Sequence, residues 1–111
     1  MKNFRGCFTA MVTPFRQDNS IDFEGLKRNI EFQIKGGISG LVPLGTTGES
    51  PSISETERSS VITFVVDKVD GRVPVIVGTG TNNTEKTIRY SKEAERLGAD
   101  AVLVVSPYYN K

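Results

Sequence analysis

The chain has 111 residues, a net charge of +1, one cysteine and no histidine. That balance gives neither the basic footprint of a nucleic-acid binder nor a basic membrane patch, and no apolar run approaches the roughly 20 residues needed to span a bilayer. Without histidine, Ser-His and Cys-His nucleophile pairs and His-based zinc sites cannot be assembled from these residues, so proton transfer must use Tyr, Lys, Asp, Glu or a hydroxyl relay.

Four apolar runs alternate with three helical patterns. The first run, Cys7 to Thr13, is closed by Pro14, and Cys7 is expected inside the strand as a small buried hydrophobe. The residues before it lack the apolar core of a signal peptide, which makes a cytoplasmic location the expectation. Asp22 is placed to cap a helix with Phe23, Leu26, Ile30 and Ile34 on one face, stopped by Gly36-Gly37; Phe32 falls off that face. The second run is Ser39 to Leu44. Ser54 with Glu57 makes a capping box for a helix carrying Val61, Ile62, Val65 and Val69, with Gly71 as its stop. Val73 to Val77 is the third run. Asn82 with Glu85 is expected to open a third helix with Ile88, Ser91, Ala94 and Leu97 on a shared face, ended by Gly98. Ala101 to Val105 is the fourth run.

The last three runs are nearly continuous in Val, Leu and Ile, the pattern of strands buried on both faces. Strand-helix alternation of this kind predicts an α/β fold with parallel pairing. A faint repeat relates Gly37–Val42 to Gly98–Leu103 and sets Thr47 and Tyr108 at equivalent positions just past their strands. The polar clusters then share the C-terminal end of the sheet, where ligand sites of α/β folds form. A closed (β/α)8 barrel takes about 250 residues, so residues 1–111 read as its first half, about four strands and three helices with no internal domain boundary.

Gly45-Thr46-Thr47-Gly48-Glu49-Ser50 presents hydroxyls and backbone N–H groups at a strand end, an arrangement suited to a small carboxylate or an oxyanion. The same residues also fit a plain strand-to-helix turn whose threonines satisfy local backbone. Ser106-Pro107-Tyr108-Tyr109-Asn110 sets two phenols at another strand end, as packing groups or as members of a proton relay. Gly78-x-Gly80 lacks the third glycine and the acidic partner of a dinucleotide loop, and Gly45–Ser50 lacks the lysine of a P-loop. None of the lysines falls within a strand, where a Schiff-base amine would be expected.

The Gly45–Ser50 turn, the run Gly71-Arg72-Val73-Pro74-Val75-Ile76-Val77-Gly78-Thr79-Gly80 and Pro107-Tyr108-Tyr109-Asn110-Lys111 together resemble the dihydrodipicolinate synthase and N-acetylneuraminate lyase family, from about Phe4 to the last residue. The Thr-Thr pair and Tyr-Tyr-Asn favour the synthase branch. The resemblance implies a (β/α)8 barrel in which a lysine on the sixth strand forms an imine with pyruvate. The bound pyruvate then attacks aspartate semialdehyde, giving 4-hydroxytetrahydrodipicolinate for lysine biosynthesis. It implies Thr46 as relay threonine, Thr47 as holder of the pyruvate carboxylate and Tyr109 as a relay tyrosine reaching into a neighbouring subunit. Tyr108, Ser50 and Asn82 match positions around the lysine effector site of regulated members. Lys86 stands where those members have an acidic residue, and Glu55 or Arg58 where some have histidine, which implies weak lysine inhibition. The family's second relay tyrosine, carboxylate-binding arginine and imine lysine match no residue here, so the isolated chain is expected to be inactive. No cofactor beyond the protein-borne imine, no metal, and a homo-oligomeric assembly are implied. Another 2-keto acid aldolase, such as N-acetylneuraminate lyase, and a non-catalytic fragment are the alternatives.

Overall fold

A computed structural model of the protein describes residues 3–108. Along the chain it has β1 (Phe8–Ala10), α1 (Phe23–Lys35), β2 (Gly40–Val42), α2 (Glu55–Val69), β3 (Ile76–Gly78), α3 (Thr84–Arg96) and β4 (Ala101–Leu103), with a short 3-10 turn at Ser50–Ser52 before α2. β1 pairs in parallel with β2, Phe8 opposite Gly40, and β3 with β4, Ile76 opposite Ala101. A parallel bridge between Leu41 and Val75 joins the two pairs, with the Leu41 N–H donating to Pro74 O at 3.0 Å and the Gly78 N–H to Pro43 O at 2.9 Å. The strands therefore lie in chain order, each joined to the next through a helix, as in a barrel wall.

The helix boundaries follow local chemistry. The Asp22 carboxylate accepts from the Gly25 N–H at 3.0 Å. Ser54 and Glu57 form a reciprocal capping box, Glu57 N–H to Ser54 Oγ at 3.2 Å and Ser54 N–H to Glu57 Oε1 at 3.0 Å. α1 and α3 end on the same device: Gly37 (φ 91°) and Gly98 (φ 103°) are left-handed, and the next N–H, of Ile38 or Ala99, returns to Gln33 O or Ala94 O.

α2 is the buried helix, with Val61, Ile62, Val65 and Val69 all in the core beside Leu26 and Ile30 of α1, Leu41 and Val75. Phe23 and Phe64 pack ring against ring across α1 and α2, their centroids 5.0 Å apart. Phe32 is exposed, as its position off the apolar face requires. Among the described residues no helix is long and apolar enough to cross a membrane.

Four expectations need correction. Cys7 is exposed at the head of β1, where its backbone rather than its side chain engages Ser39. The cap of α3 is Asn83, whose side chain accepts from the Lys86 N–H at 2.9 Å, because Thr81 Oγ1 grips the backbone of Asn83 and shifts the helix start by one residue. Ile88 is half exposed, and the buried residues of α3 are Tyr90 and Ala94. A steady spacing of three residues turns about 60° backward per step, so Ile88 and Leu97 lie on opposite sides of the helix. Finally, β4 is not buried on both faces: Val102, Leu103, Val104 and Val105 are all partly exposed at the edge of the sheet.

At the opposite end from the turns, Arg72 joins α1 to α2. Its guanidinium donates to the Lys68 and Val69 carbonyls and, through Nη1 and Nη2, to the Glu31 carboxylate at 3.0 and 2.6 Å. These hydrogen bonds hold the Glu31 carboxyl below its ordinary range. Its contribution to stability is therefore complete above the unfolded-state pKa and disappears as pH falls through the lower folded-state value. The E31Q variant is expected to unfold at a lower urea midpoint than wild type at neutral pH and to converge with it in acid; an offset constant with pH would count against the pair. Replacing the cap, S54A, should lower the free energy of unfolding by about 1 kcal/mol, read from urea titration at neutral pH.

Candidate active site

After β2 the chain enters a compact turn, with the Gly48 N–H donating to Gly45 O at 3.1 Å and the Glu49 N–H to Thr46 O at 3.0 Å. The left-handed residues are Leu44 (φ 61°) and Glu49 (φ 58°), which bracket the turn, rather than its two glycines. A residue bearing a Cβ gives up roughly 1–2 kcal/mol in that conformation. Gly48 is needed for close approach instead, since a Cβ there would sit 3.1 Å from both Met11 O and Thr13 Oγ1. The buried Thr13 hydroxyl donates to Gly48 O at 2.7 Å and ties the turn to the end of the β1 segment.

A second tie comes from Arg58, at one of the two positions where the resemblance sets a histidine of the effector site in some members. It lies in the first turns of α2 and is 2% exposed. Nη1 donates to Ser50 Oγ and Nη2 to the Gly78 carbonyl, both at 2.8 Å. The guanidinium lies over the Tyr90 ring of α3, 4.1 Å from its centroid. Among the described residues no carboxylate stands within ion-pair distance of it. Burial pushes its pKa down, opposed by Tyr90, Glu93 and Glu55 nearby. Glu55 is bonded to Arg89, and Glu93 to Ser59.

These ties shape a cavity of about 500 Å³ at the C-terminal ends of β2, β3 and β4. Its polar lining includes Thr46, Ser50 and Tyr108, and its apolar wall includes Leu44, Leu103 and Val105. Backbone at Gly45, Gly78 and Gly80 completes the surface. Thr46 and Ser50 of the turn after β2 are thus brought together with Tyr108, which follows β4. Thr47 is exposed beside them and does not line the cavity, and Asn82 is exposed on the segment leading to α3. Tyr109 lies outside the described residues.

Neither the hydroxyls nor the backbone N–H groups of Thr46 and Thr47 bond to another described residue, so both kinds of donor face solvent at the rim. A larger groove of about 710 Å³ runs between α3 and β4, lined by Ile88, Val102 and Val104 among others, but none of the strand-end turns reaches it. The five lysines among the described residues all lie on helices: Lys27 and Lys35 on α1, Lys68 on α2, Lys86 and Lys92 on α3. The cavity therefore offers hydrogen-bond donors and an apolar wall but no amine nucleophile from these helices.

The Dihydrodipicolinate synthetase family model matches residues 3–111. The 4-hydroxy-tetrahydrodipicolinate synthase of Salinibacter ruber is 56% identical over 108 residues, which cover 97% of this chain and 36% of that protein. Among solved structures, dihydrodipicolinate synthase from Thermotoga maritima superposes with a TM-score of 0.94 at 52% identity, covering 97% of this chain and 36% of that one. The Bacillus anthracis dihydrodipicolinate synthase superposes at 0.96 with 46% identity, covering 100% and 38%. The chain thus spans little more than a third of the length of the relatives it matches, and its fold is the N-terminal portion of a (β/α)8 barrel. With likeness in sequence and fold running along nearly all of its length, the chain belongs to the dihydrodipicolinate synthetase family.

Proposed function

We propose that this chain forms the N-terminal portion of a pyruvate-dependent class I aldolase that condenses pyruvate with aspartate semialdehyde in lysine biosynthesis. The observation that carries the reading is the pair of exposed threonines in the strand-end turn, whose hydroxyls and N–H groups have no hydrogen-bond partner among the described residues. In this reading Thr47 binds the pyruvate carboxylate through its exposed donors. Thr46 hands a proton along a hydroxyl relay with Tyr109, which extends toward a neighbouring subunit of a homo-oligomer.

The chemistry asks for an amine that attacks the pyruvate ketone, loses water to form an imine and then loses a methyl proton to give an enamine. The enamine carbon attacks the aldehyde, and the resulting alkoxide takes a proton from the relay. The imine is the electron sink, so no cofactor takes part. The amine belongs to a strand-borne lysine outside these 111 residues, which leaves this chain with recognition and proton transfer and no covalent step of its own. Ser50, Asn82 and Tyr108 are the effector-facing residues in this scheme, and a cytoplasmic location suits a biosynthetic enzyme of this kind.

Two measurements test the reading. Borohydride reduction of the 111-residue chain with pyruvate, followed by intact-mass analysis, should give no adduct; an adduct would place the nucleophile on this chain and overturn the assignment. The chain joined to the remaining segment of the Salinibacter ruber relative should turn over pyruvate with aspartate semialdehyde and not cleave N-acetylneuraminate. In that joined protein the Thr46→Val variant should lose roughly 10²–10⁴-fold in kcat, the range of a general acid-base contribution, with KM for pyruvate less affected. The reverse substrate preference would move the chain to the lyase branch.

A further inference from the structure

β1 and β4 are the two free edges of the sheet. Cys7 O accepts from the Ser39 N–H and the Met11 N–H donates to Val42 O, so residues 7, 9 and 11 turn their backbone toward β2. Neighbouring residues of a strand face opposite edges, which directs the N–H and C=O groups of Phe8 and Ala10 outward. On β4 the Ala101 N–H donates to Val75 O and Leu103 O accepts from the Thr79 N–H, which directs those of Val102 outward in the same way. Among the described residues no strand pairs with either outer edge. Such edges are templates for pairing with another chain.

The shape and surface of the molecule match that need. Val102 and Val104 border the groove beside α3, whereas Leu103 and Val105 line the cavity on the opposite face and are 50% and 41% exposed. The molecule is a slab of 42 × 39 × 22 Å. It exposes 6929 Å² of surface, where a compact monomer of its 12.1 kDa exposes about 6,000 Å². The excess, roughly 900 Å², is close to the ~800 Å² that each partner buries in a standard interface. With a net charge of +1, two copies repel each other little.

We propose that two copies of this chain close one eight-stranded barrel, with β4 of each pairing in parallel with β1 of the other. All strands of one copy run the same way, so a twofold axis along the strand direction keeps every strand of the second copy parallel to them. The same operation makes the two seams identical and leaves no edge. Four strands from each copy supply the eight of a (β/α)8 barrel. Setting two slabs face to face doubles the 22 Å dimension and brings it level with the other two. Leu103 and Val105 then enter a barrel interior, which side chains fill. No reacting group lies in the seam, so the inference stands apart from the aldolase reading.

Sedimentation equilibrium of the 111-residue chain at micromolar concentration should give a mass near twice 12.1 kDa. A proline is tolerated on an edge strand where its missing N–H would face solvent, but it cannot donate across a seam. Val102→Pro and Ala10→Pro should therefore each halve the sedimenting mass while the helical circular dichroism is kept. Phe32→Ser, on the exposed side of α1, should remain dimeric. Leu103→Lys sets a charge inside the closed barrel and should also halve the mass. Because Leu103 is half exposed in the single copy, this variant decides the matter should a proline variant lose its helical signal. A wild-type monomer would overturn the inference and leave the edges to the segment that the longer relatives carry beyond this portion. A mass that grows past the dimer with concentration would overturn it in favour of an open chain of copies. A dimer that survives Ala10→Pro would do so in favour of β4 pairing with β4, and one that survives Leu103→Lys or dissociates in Phe32→Ser would place the interface elsewhere.

Discussion

The parallel lacing of β2 against β3 is the constraint on which the rim depends. It is held at one end by the Leu41 N–H on Pro74 O and at the other by the Gly78 N–H on Pro43 O. Both prolines serve as acceptors here, so their missing N–H groups cost these rungs nothing. The upper rung brings the backbones so close that a Cβ at Gly78 would stand 2.2 Å from the Leu44 carbonyl oxygen. Only glycine permits that approach. From it follow the shared rim of the strand ends, the cavity between them and the position of the Gly78 carbonyl under Arg58.

Arg58 extends the same constraint from the sheet to the helices. Burying a guanidinium is costly unless its donors are met. Here Ser50, Gly78 and the face of Tyr90 meet it, each from a different element: the 3-10 turn, β3 and α3. One side chain of α2 thereby registers a turn, a strand end and the neighbouring helix against one another. An apolar replacement would fill the space, yet it would leave the Gly78 carbonyl and the serine without their partner. The turn's geometry is therefore tied to a polar contact in the interior as well as to its own sequence.

What could be read in the sequence is what local chemistry decides. Asp22, the Ser54–Glu57 box and the repeated Gly37 and Gly98 stops act within one helical turn, so their residue types announced them. The Gly45–Ser50 segment was legible as a rim turn for the same reason, and the family resemblance set the four strands in order. Asn83 rather than Asn82 caps α3 because a threonine two residues earlier competes for the backbone. The exposure of Cys7, Ile88 and β4 depends on which neighbours flank the sheet edges, and periodicity does not encode that. The resemblance marked position 58 only as one of two that carry histidine near the effector site in some members, and the burial of Arg58 was illegible because a lone arginine near a helix start reads as a solvated cation. Only the fold, by setting Ser50 eight positions earlier and Gly78 on another strand within reach, makes it a buried one.

The left-handed conformations of Leu44 and Glu49 have their explanation in the same contacts. Strain of this kind persists only where the surroundings over-determine the backbone. Leu44 is 1% exposed, and its carbonyl is crowded by Gly78, so the core fixes the entry to the turn. Thr13 holds Gly48 from one side, and Arg58 holds Ser50 from the other, so the exit is fixed as well. Between these two anchors the threonine hydroxyls and N–H groups have no hydrogen-bond partner among the described residues. A donor set held open in advance of its ligand reorganises little when an anion arrives, and this is the condition under which hydrogen bonds to a developing or fixed negative charge are most effective. The strain at Leu44 and Glu49 is thus held by the same contacts that fix the two ends of the turn.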